Sequence, residues 1–218
     1  MPTVIAEHWP PHGLRLRTPR LELRPDDDPG LGELVEAARA GVHPADQMPF
    51  AVPWTDAAPE HLGGGMLRYF WSERAAVAPE RWSLNFLTRL DGRVIGTQGL
   101  MGVDFAVTRE VSTGSWLGGR YQKQGFGTEM RAAVLGLAFD HLGARLARSG
   151  AFVDNARSLA LSRRLGYVDD GTETLARRGC PATQRRLLLT EADYRAHRPE
   201  WRVEVTGLEP CLPMLGAV

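Results

Sequence analysis

The sequence predicts an α+β domain organised around one mixed sheet, mostly antiparallel, with a single parallel pair. Three observations predict it. Short segments of alternating apolar and charged residues recur along the chain, the strong turn signal Asp91-Gly92 joins two of them, and an amphipathic helix over residues 125–141 falls between two further strands. A strand, a covering helix and a second strand in that order make a crossover, and a crossover places its two strands parallel.

The elements follow in chain order. Residues 14–24 alternate apolar and charged on both sides of Thr18-Pro19, as one half-buried strand or a pair of short ones. Asp26-Asp27-Asp28-Pro29-Gly30 is a turn that leads into a helix over residues 31–40, with Leu31, Leu34, Val35 and Ala38 on one face. Residues 41–59 are Pro-rich and irregular. A second helix covers roughly residues 61–76, although Gly63-Gly64-Gly65 is a weak start for it. Residues 82–89 and 93–103 form the hairpin, and residues 111–117 a further strand. In the helix of residues 125–141, Met130, Ala133, Val134, Leu137 and Ala138 recur at helical spacing. Residues 145–152 read as a strand and 155–165 as a short helix closed by Gly166. Two more strands, 167–170 and 184–190, precede a helical turn at 191–197. The domain therefore spans residues 1–198. Residues 199–218 form a tail with one alternating stretch, 201–205, and with apolar residues that have no evident place in the core. The latter point to a partner surface and a homo-oligomer.

Composition narrows the function. A chain of 218 residues with 43% hydrophobic content can bury one substantial core. The formal net charge of zero argues against a nucleic-acid-binding face, because phosphate neutralisation drives such binding. Lys123 is the only lysine among 26 basic residues, a bias that codon usage explains. Cys180 and Cys211 lie in no metal-binding spacing, so neither a metal nor a disulfide framework is expected, and a reducing cytoplasmic setting is. No leading apolar run resembles a signal peptide, and no stretch of about 18 apolar residues is present to span a membrane.

The segment Gln122-Lys123-Gln124-Gly125-Phe126-Gly127 sits where a strand hands over to the long helix. The first N–H groups of a helix lack internal partners and carry the positive end of its dipole. Glycines there let an anion approach the backbone, and Lys123 adds a cation, so the turn can cradle a phosphate. The same pattern also fits a simple turn.

Three blocks, the turn's own and one on either side of it, carry a resemblance. Gly114-Ser115-Trp116-Leu117-Gly118, followed by the residues from Tyr121 to Gly127, is similar to the pyrophosphate signature of the GCN5-related N-acetyltransferase (GNAT) superfamily, Gln/Arg-x-x-Gly-x-Gly/Ala. Asn155, Ser158, Gly166 and Tyr167 stand at the spacing of that family's later helix. Thr18-Pro19-Arg20-Leu21-Glu22-Leu23-Arg24 resembles the first strand of its ribosomal-protein N-acetyltransferase branch. The resemblance covers roughly residues 14–190. It implies a GNAT-like fold whose sheet splays at the parallel pair, with the pantetheine arm of acetyl-CoA or succinyl-CoA in the gap and a primary amine of a protein or small molecule as acceptor.

The resemblance also implies site residues. Trp116, Leu117, Gln122, Lys123, Gln124, Gly125, Phe126, Gly127, Thr128, Asn155 and Ser158 would hold the cosubstrate, with a backbone N–H near Trp116 or Leu117 at the thioester oxygen. Ser158, beside Asn155, would assist the leaving thiol. The sequence departs from the family at Ser112, where members often carry a Glu base, and at Ser162, where many carry a Tyr. Asp104 is the candidate base in place of the missing Glu, with a turn or capping role as its competing reading; Glu110 and His43 are weaker candidates. The stretch from Gly41 to Trp54, with Ser115-Trp116-Leu117-Gly118 and Phe152-Val153-Asp154-Asn155, is similar to an actinobacterial member described as a succinyl-CoA-dependent transferase. It makes Met48, Phe50 and Trp54 candidate substrate contacts, with Arg120 or another arginine near that loop available for a distal carboxylate. Two further readings stay open, a non-catalytic coenzyme A-binding module and a tRNA-modifying acyltransferase, the latter disfavoured by the neutral charge.

Overall fold

The computed structural model describes residues 4–217. Its strands are β1 (Arg15–Arg17), β2 (Leu21–Pro25), β3 (Arg81–Leu90), β4 (Arg93–Val103), β5 (Glu110–Leu117), β6 (Leu146–Phe152), β7 (Val168–Arg177), β8 (Cys180–Thr190) and β9 (Glu204–Thr206). They form one sheet in the order β7-β8-β6-β5-β4-β3-β2-β1-β9. Every neighbouring pair is antiparallel except β5 and β6, as the crossover between them requires. The helices are α1 (Val4–His8), α2 (Asp28–Arg39), α3 (Pro59–Ala75), α4 (Phe105–Thr108), α5 (Phe126–Gly136), α6 (Ala156–Arg164) and α7 (Glu191–His197). None of the described helices is long and apolar enough to cross a membrane.

Local chemistry sets the helix boundaries. Asp27 caps α2, its carboxylate accepting from the Gly30 N–H at 2.6 Å, so the expected turn is the cap and first turn of the helix itself. α3 starts at Pro59, whose missing N–H costs nothing at a first helical position. Its triple glycine is useful inside the helix: a Cβ on Gly63 would lie 3.1 Å from Val35 of α2, so the glycine lets the two helices approach. α5 ends in a π-helical turn, Leu137–His141, that completes the expected span.

Two apolar clusters cover the two faces of the sheet. α2 and α3 pack Leu31, Leu34, Met66 and Phe70 against Leu87 and Val94. On the other face α5 packs Phe126, Met130, Val134 and Leu137 over Leu16, Leu23, Phe86 and Ile95. Covered on both faces, β3 and β4 are buried almost continuously in their middle portions and lose simple alternation.

The structure corrects the sequence reading in two places. The polar strand pair is much longer than residues 167–170 and 184–190; β7 and β8 meet at a tight turn with Arg178 and Gly179 at positive φ. The tail is part of the domain. β9 pairs with β1, Val203, Cys211 and Leu215 are buried in the α5-side core, and the Trp82 Nε1–H donates to the Leu215 carbonyl at 2.9 Å. The apolar residues that pointed to a partner surface are thus satisfied within the chain.

The parallel pair is short. Pairing runs only from Glu110–Leu146 to Ser112–Arg148. Beyond it β5 stays with β4 as far as Leu117 and β6 stays with β8 as far as Phe152. The two strands therefore fork after Ser112 and Arg148.

The start of α5 is pinned at a distance. Glu129, 7% exposed, accepts from the Thr18 hydroxyl (2.7 Å), the Arg20 backbone N–H (2.9 Å) and the Arg20 Nε (2.7 Å), with Arg20 Nη2 at 2.6 Å. Removing the carboxylate strands these donors. Because Arg20 is half exposed, Glu129→Ala should cost about 2 kcal/mol, less than for a fully buried pair. Thermal melting should register it as a drop of roughly 4–8 °C.

Candidate functional site

The fork opens into a cavity of about 1020 Å³ bordered by β4, β5, β6, α3, α6 and the turn before α5. The turn is shaped by bonds that occupy its surroundings. Gly118 N–H donates to Ile95, Gly119 N–H to Gly41, and the Gln122 side-chain amide to Val42 (2.6 Å) and Leu117 (2.9 Å) carbonyls. Lys123 (φ 63°) and Gly125 (φ 86°) adopt left-handed backbone conformations. Among the described residues, the backbone N–H groups of residues 123–127 have no protein acceptor, whereas those of Thr128 and Glu129 bond to the Gly125 carbonyl. Successive free N–H groups at a helix start, with alternating backbone hand, form a concave anion site. Lys123 lines it.

β5 presents two faces at the fork. Thr113 takes the Ser149 hydroxyl at its carbonyl (3.4 Å), so its backbone faces β6; strand alternation turns the backbones of Ser115 and Leu117 the same way. Side chains alternate too. Trp116 points to the α2–α3 side, 5.2 Å from Trp54, which lies tilted 5.2 Å from Phe50. Tyr69, Phe70 and Met101 continue this apolar wall. Ser115 and Leu117 point to the α5 side.

The structure brings Phe50, Trp54, Trp116, Leu117, Gln122, Lys123, Gly125, Gly127, Thr128, Asn155 and Ser158 together around the cavity. Asn155 caps α6, accepting from the Ser158 N–H at 3.2 Å, and still faces the cavity with Ser158. Other expected residues stand apart. Phe126 is a core residue, and Gln124 bonds to the Arg120 carbonyl at 2.7 Å. Met48 is buried behind the aromatic loop. Asp104 lies in the turn after β4, at the opposite end of β5 from Leu117, and does not line the cavity. Glu110 is paired with Arg148 at 2.6 Å, and Arg148 also binds Asp170 at 2.5 Å. His43 and Arg120 border a smaller adjoining cavity of about 440 Å³ with Lys123 and Arg157. Among the described residues the main cavity is lined by the cations Lys123, Arg131, Arg157 and Arg164 and by no carboxylate.

Two features escaped the sequence reading. The β7–β8 tip clamps the aromatic loop: Arg177 holds the Met48 carbonyl and both Asp154 oxygens, and Arg178 holds both oxygens of Asp56. Arg131 of α5 is 5% exposed and lines the cavity, its Nη1 on Ser162 (2.8 Å) and its Nη2 on Ser115 (3.3 Å). The available signal was a charged residue in a helix flanked by apolar residues on nearly every side.

The comparisons with known proteins agree with this geometry. Residues 20–168 match the family model described as "Acetyltransferase (GNAT) domain". Among solved structures, the chain is similar to a GCN5-related N-acetyltransferase from Brucella melitensis (19% identity over 84% of this chain and 81% of that one, TM-score 0.68). It is also similar to Mycobacterium smegmatis RimJ in complex with CoA-disulfide (19% identity, 88% and 97% coverage, TM-score 0.68). A third is RimL, a ribosomal L7/L12 alpha-N-protein acetyltransferase in complex with coenzyme A (18% identity, 79% and 95% coverage, TM-score 0.61).

Gly114 lines the fork, and a Cβ built on it meets nothing within 4 Å. Gly114→Val should therefore keep its melting temperature while filling the groove. Calorimetry should show coenzyme A binding weakened at least about tenfold, a difference of about 1.4 kcal/mol.

Proposed function

The chain belongs to the GNAT acetyltransferase family, and on that premise we propose that it moves an acyl group, acetyl or succinyl, from coenzyme A to a primary amine of a protein or small molecule. The observation that carries this reading is the fork of β5 and β6 opening beside the free N–H groups of residues 123–127. In this reading those N–H groups and Lys123 hold the pyrophosphate. The pantetheine amides bond along the freed edge of β5 as an added strand would. The thioester oxygen takes an N–H from the Ser115–Leu117 stretch; one such donor is worth about 2.7–4 kcal/mol of transition-state stabilisation.

The acceptor enters over Phe50, Trp54 and Trp116. An alkyl amine with a pKa near 10.4 is neutral in roughly one molecule per thousand at neutral pH, so its proton must leave before attack. With no carboxylate in the lining, water takes that proton. Asp104, outside the cavity, has no part in this scheme. Ser158, at the mouth of α6, donates to the departing sulfur. A protein amine is supported by the likeness to RimJ and RimL, and the neutral acceptor favoured by a cationic cavity fits an α-amino group better than a lysine.

Incubation with acetyl-CoA or succinyl-CoA and a panel of peptide and small amines should release free thiol, after subtraction of the exposed Cys180. Coenzyme A binding without thiol release from either donor would leave only a binding module. Ser158→Ala should lower kcat about tenfold and leave coenzyme A affinity within about threefold, because a thiol of pKa near 8.5 is already a fair leaving group.

A further inference from the structure

Arg131 is the unexplained charge of the cavity. Its side chain is almost wholly buried, its hydrogen-bond partners Ser115 and Ser162 are neutral, and its Nε has no partner. A buried guanidinium without a counter-charge is costly and is normally found paired. Burial lowers its pKa from the usual guanidinium value, opposed only by the buried Tyr167; an arginine nonetheless stays protonated at neutral pH. The other buried charge of α5, Glu129, is taken by Arg20 and Thr18. Lys123, Arg157 and Arg164 share the cavity and only add positive charge. Tyr167 is held neutral by burial, and its hydroxyl is hydrogen-bonded to the Thr113 hydroxyl at 3.3 Å.

Depth along the cavity decides what the charge is for. Asn155 and Ser158 stand at the mouth of α6, near the anion-binding turn. Ser162 lies one helical turn beyond Ser158, about 6 Å at the helical rise. Arg131 lies one turn of α5 beyond Gly127, and its Nη2 is turned to Ser115 at 3.3 Å, the strand residue beside which the reading above places the thioester. The reaction itself creates an anion there. As the amine nitrogen bonds to the acyl carbon, the C–S bond breaks, its electron pair stays on sulfur, and the amine's proton passes to water.

We propose that Arg131 is a catalytic residue that stabilises the coenzyme A thiolate as it leaves. A charge that finds its counter-charge only as the bond breaks lowers the barrier without tightening ground-state binding. This rests on the acyl-transfer reading above and deepens it.

The test uses coenzyme A itself and needs no acceptor. The thiol of bound coenzyme A is titrated by the ultraviolet absorbance of the thiolate. A free thiol titrates near 8.5; bound to the wild-type chain it should titrate about one unit lower or more. Affinity should accordingly be about tenfold higher at pH 9.5 than at pH 6. In Arg131→Met the shift and the pH dependence should vanish, and Arg131→Lys should keep part of both. An unshifted thiol on the wild-type chain overturns the proposal whether or not any variant folds, and so does a shift that survives in Arg131→Met. If Arg131→Met weakens succinyl-CoA selectively against acetyl-CoA while the thiol is unmoved, the residue serves the acyl carboxylate instead and the proposal fails. If coenzyme A does not bind at all, it is the acyl-transfer reading that falls.

Discussion

The carboxylate of Glu129 joins two parts of the chain more than a hundred residues apart, and the geometry of the cavity depends on it. It lies in the first turn of α5, where a negative charge also complements the helix dipole. Buried there, it must be paired, and residues 18–20 at the β1–β2 corner supply every donor. Arg20 then does more: it covers the Phe126 ring at 4.5 Å and reaches the Gln124 carbonyl at 3.1 Å. The turn from Lys123 to Gly127 is thereby gripped from behind, with its N–H groups left facing the cavity. One ion pair converts a flexible glycine turn into a fixed anion site.

The fork is the complementary device. A parallel pair that stops after three registered residues leaves the inner edges of β5 and β6 unbonded, which a sheet ordinarily avoids. Each strand can stand apart because its outer edge is fully paired, β5 on β4 and β6 on β8. The exposed edge is a template for an amide-bearing chain, and the pantetheine arm is one. The same device places Trp116 toward the aromatic loop and Ser115 toward Arg131, so in the proposed scheme donor and acceptor meet from opposite sides of one strand.

Much of this was legible in the sequence, and the limits have physical causes. The alternation of residues 14–24, the Asp91-Gly92 hairpin and the periodic helix over residues 125–141 each express a buried face, and each formed near its expected bounds. The β7–β8 tip did not show, because both strands stand largely in solvent and carry no apolar alternation to read. The tail misled for the opposite reason: its apolar residues pack by β9 joining the far edge of the sheet, a long-range pairing that no local pattern announces. Within the site, the Gly125–Gly127 turn and Asn155–Ser158 were visible as motifs. Arg131 was not, since its role comes from what surrounds it rather than from its spacing.

Charge in the cavity gives these parts a common direction. In the proposed scheme Lys123 and Arg157 meet the phosphates, Arg131 faces the thioester, and the opposite wall is aromatic. The four cations of the lining disfavour a protonated amine, so the proposed acceptor is the neutral form. The family's usual Glu is absent at Ser112, and its usual Tyr at Ser162 is replaced by a hydroxyl that holds Arg131. Both departures move the balance the same way. On the proposed reading less is asked of a base, because the site takes an amine that has already lost its proton, and less is asked of an acid, because a fixed cation would receive the charge that a proton would have neutralised.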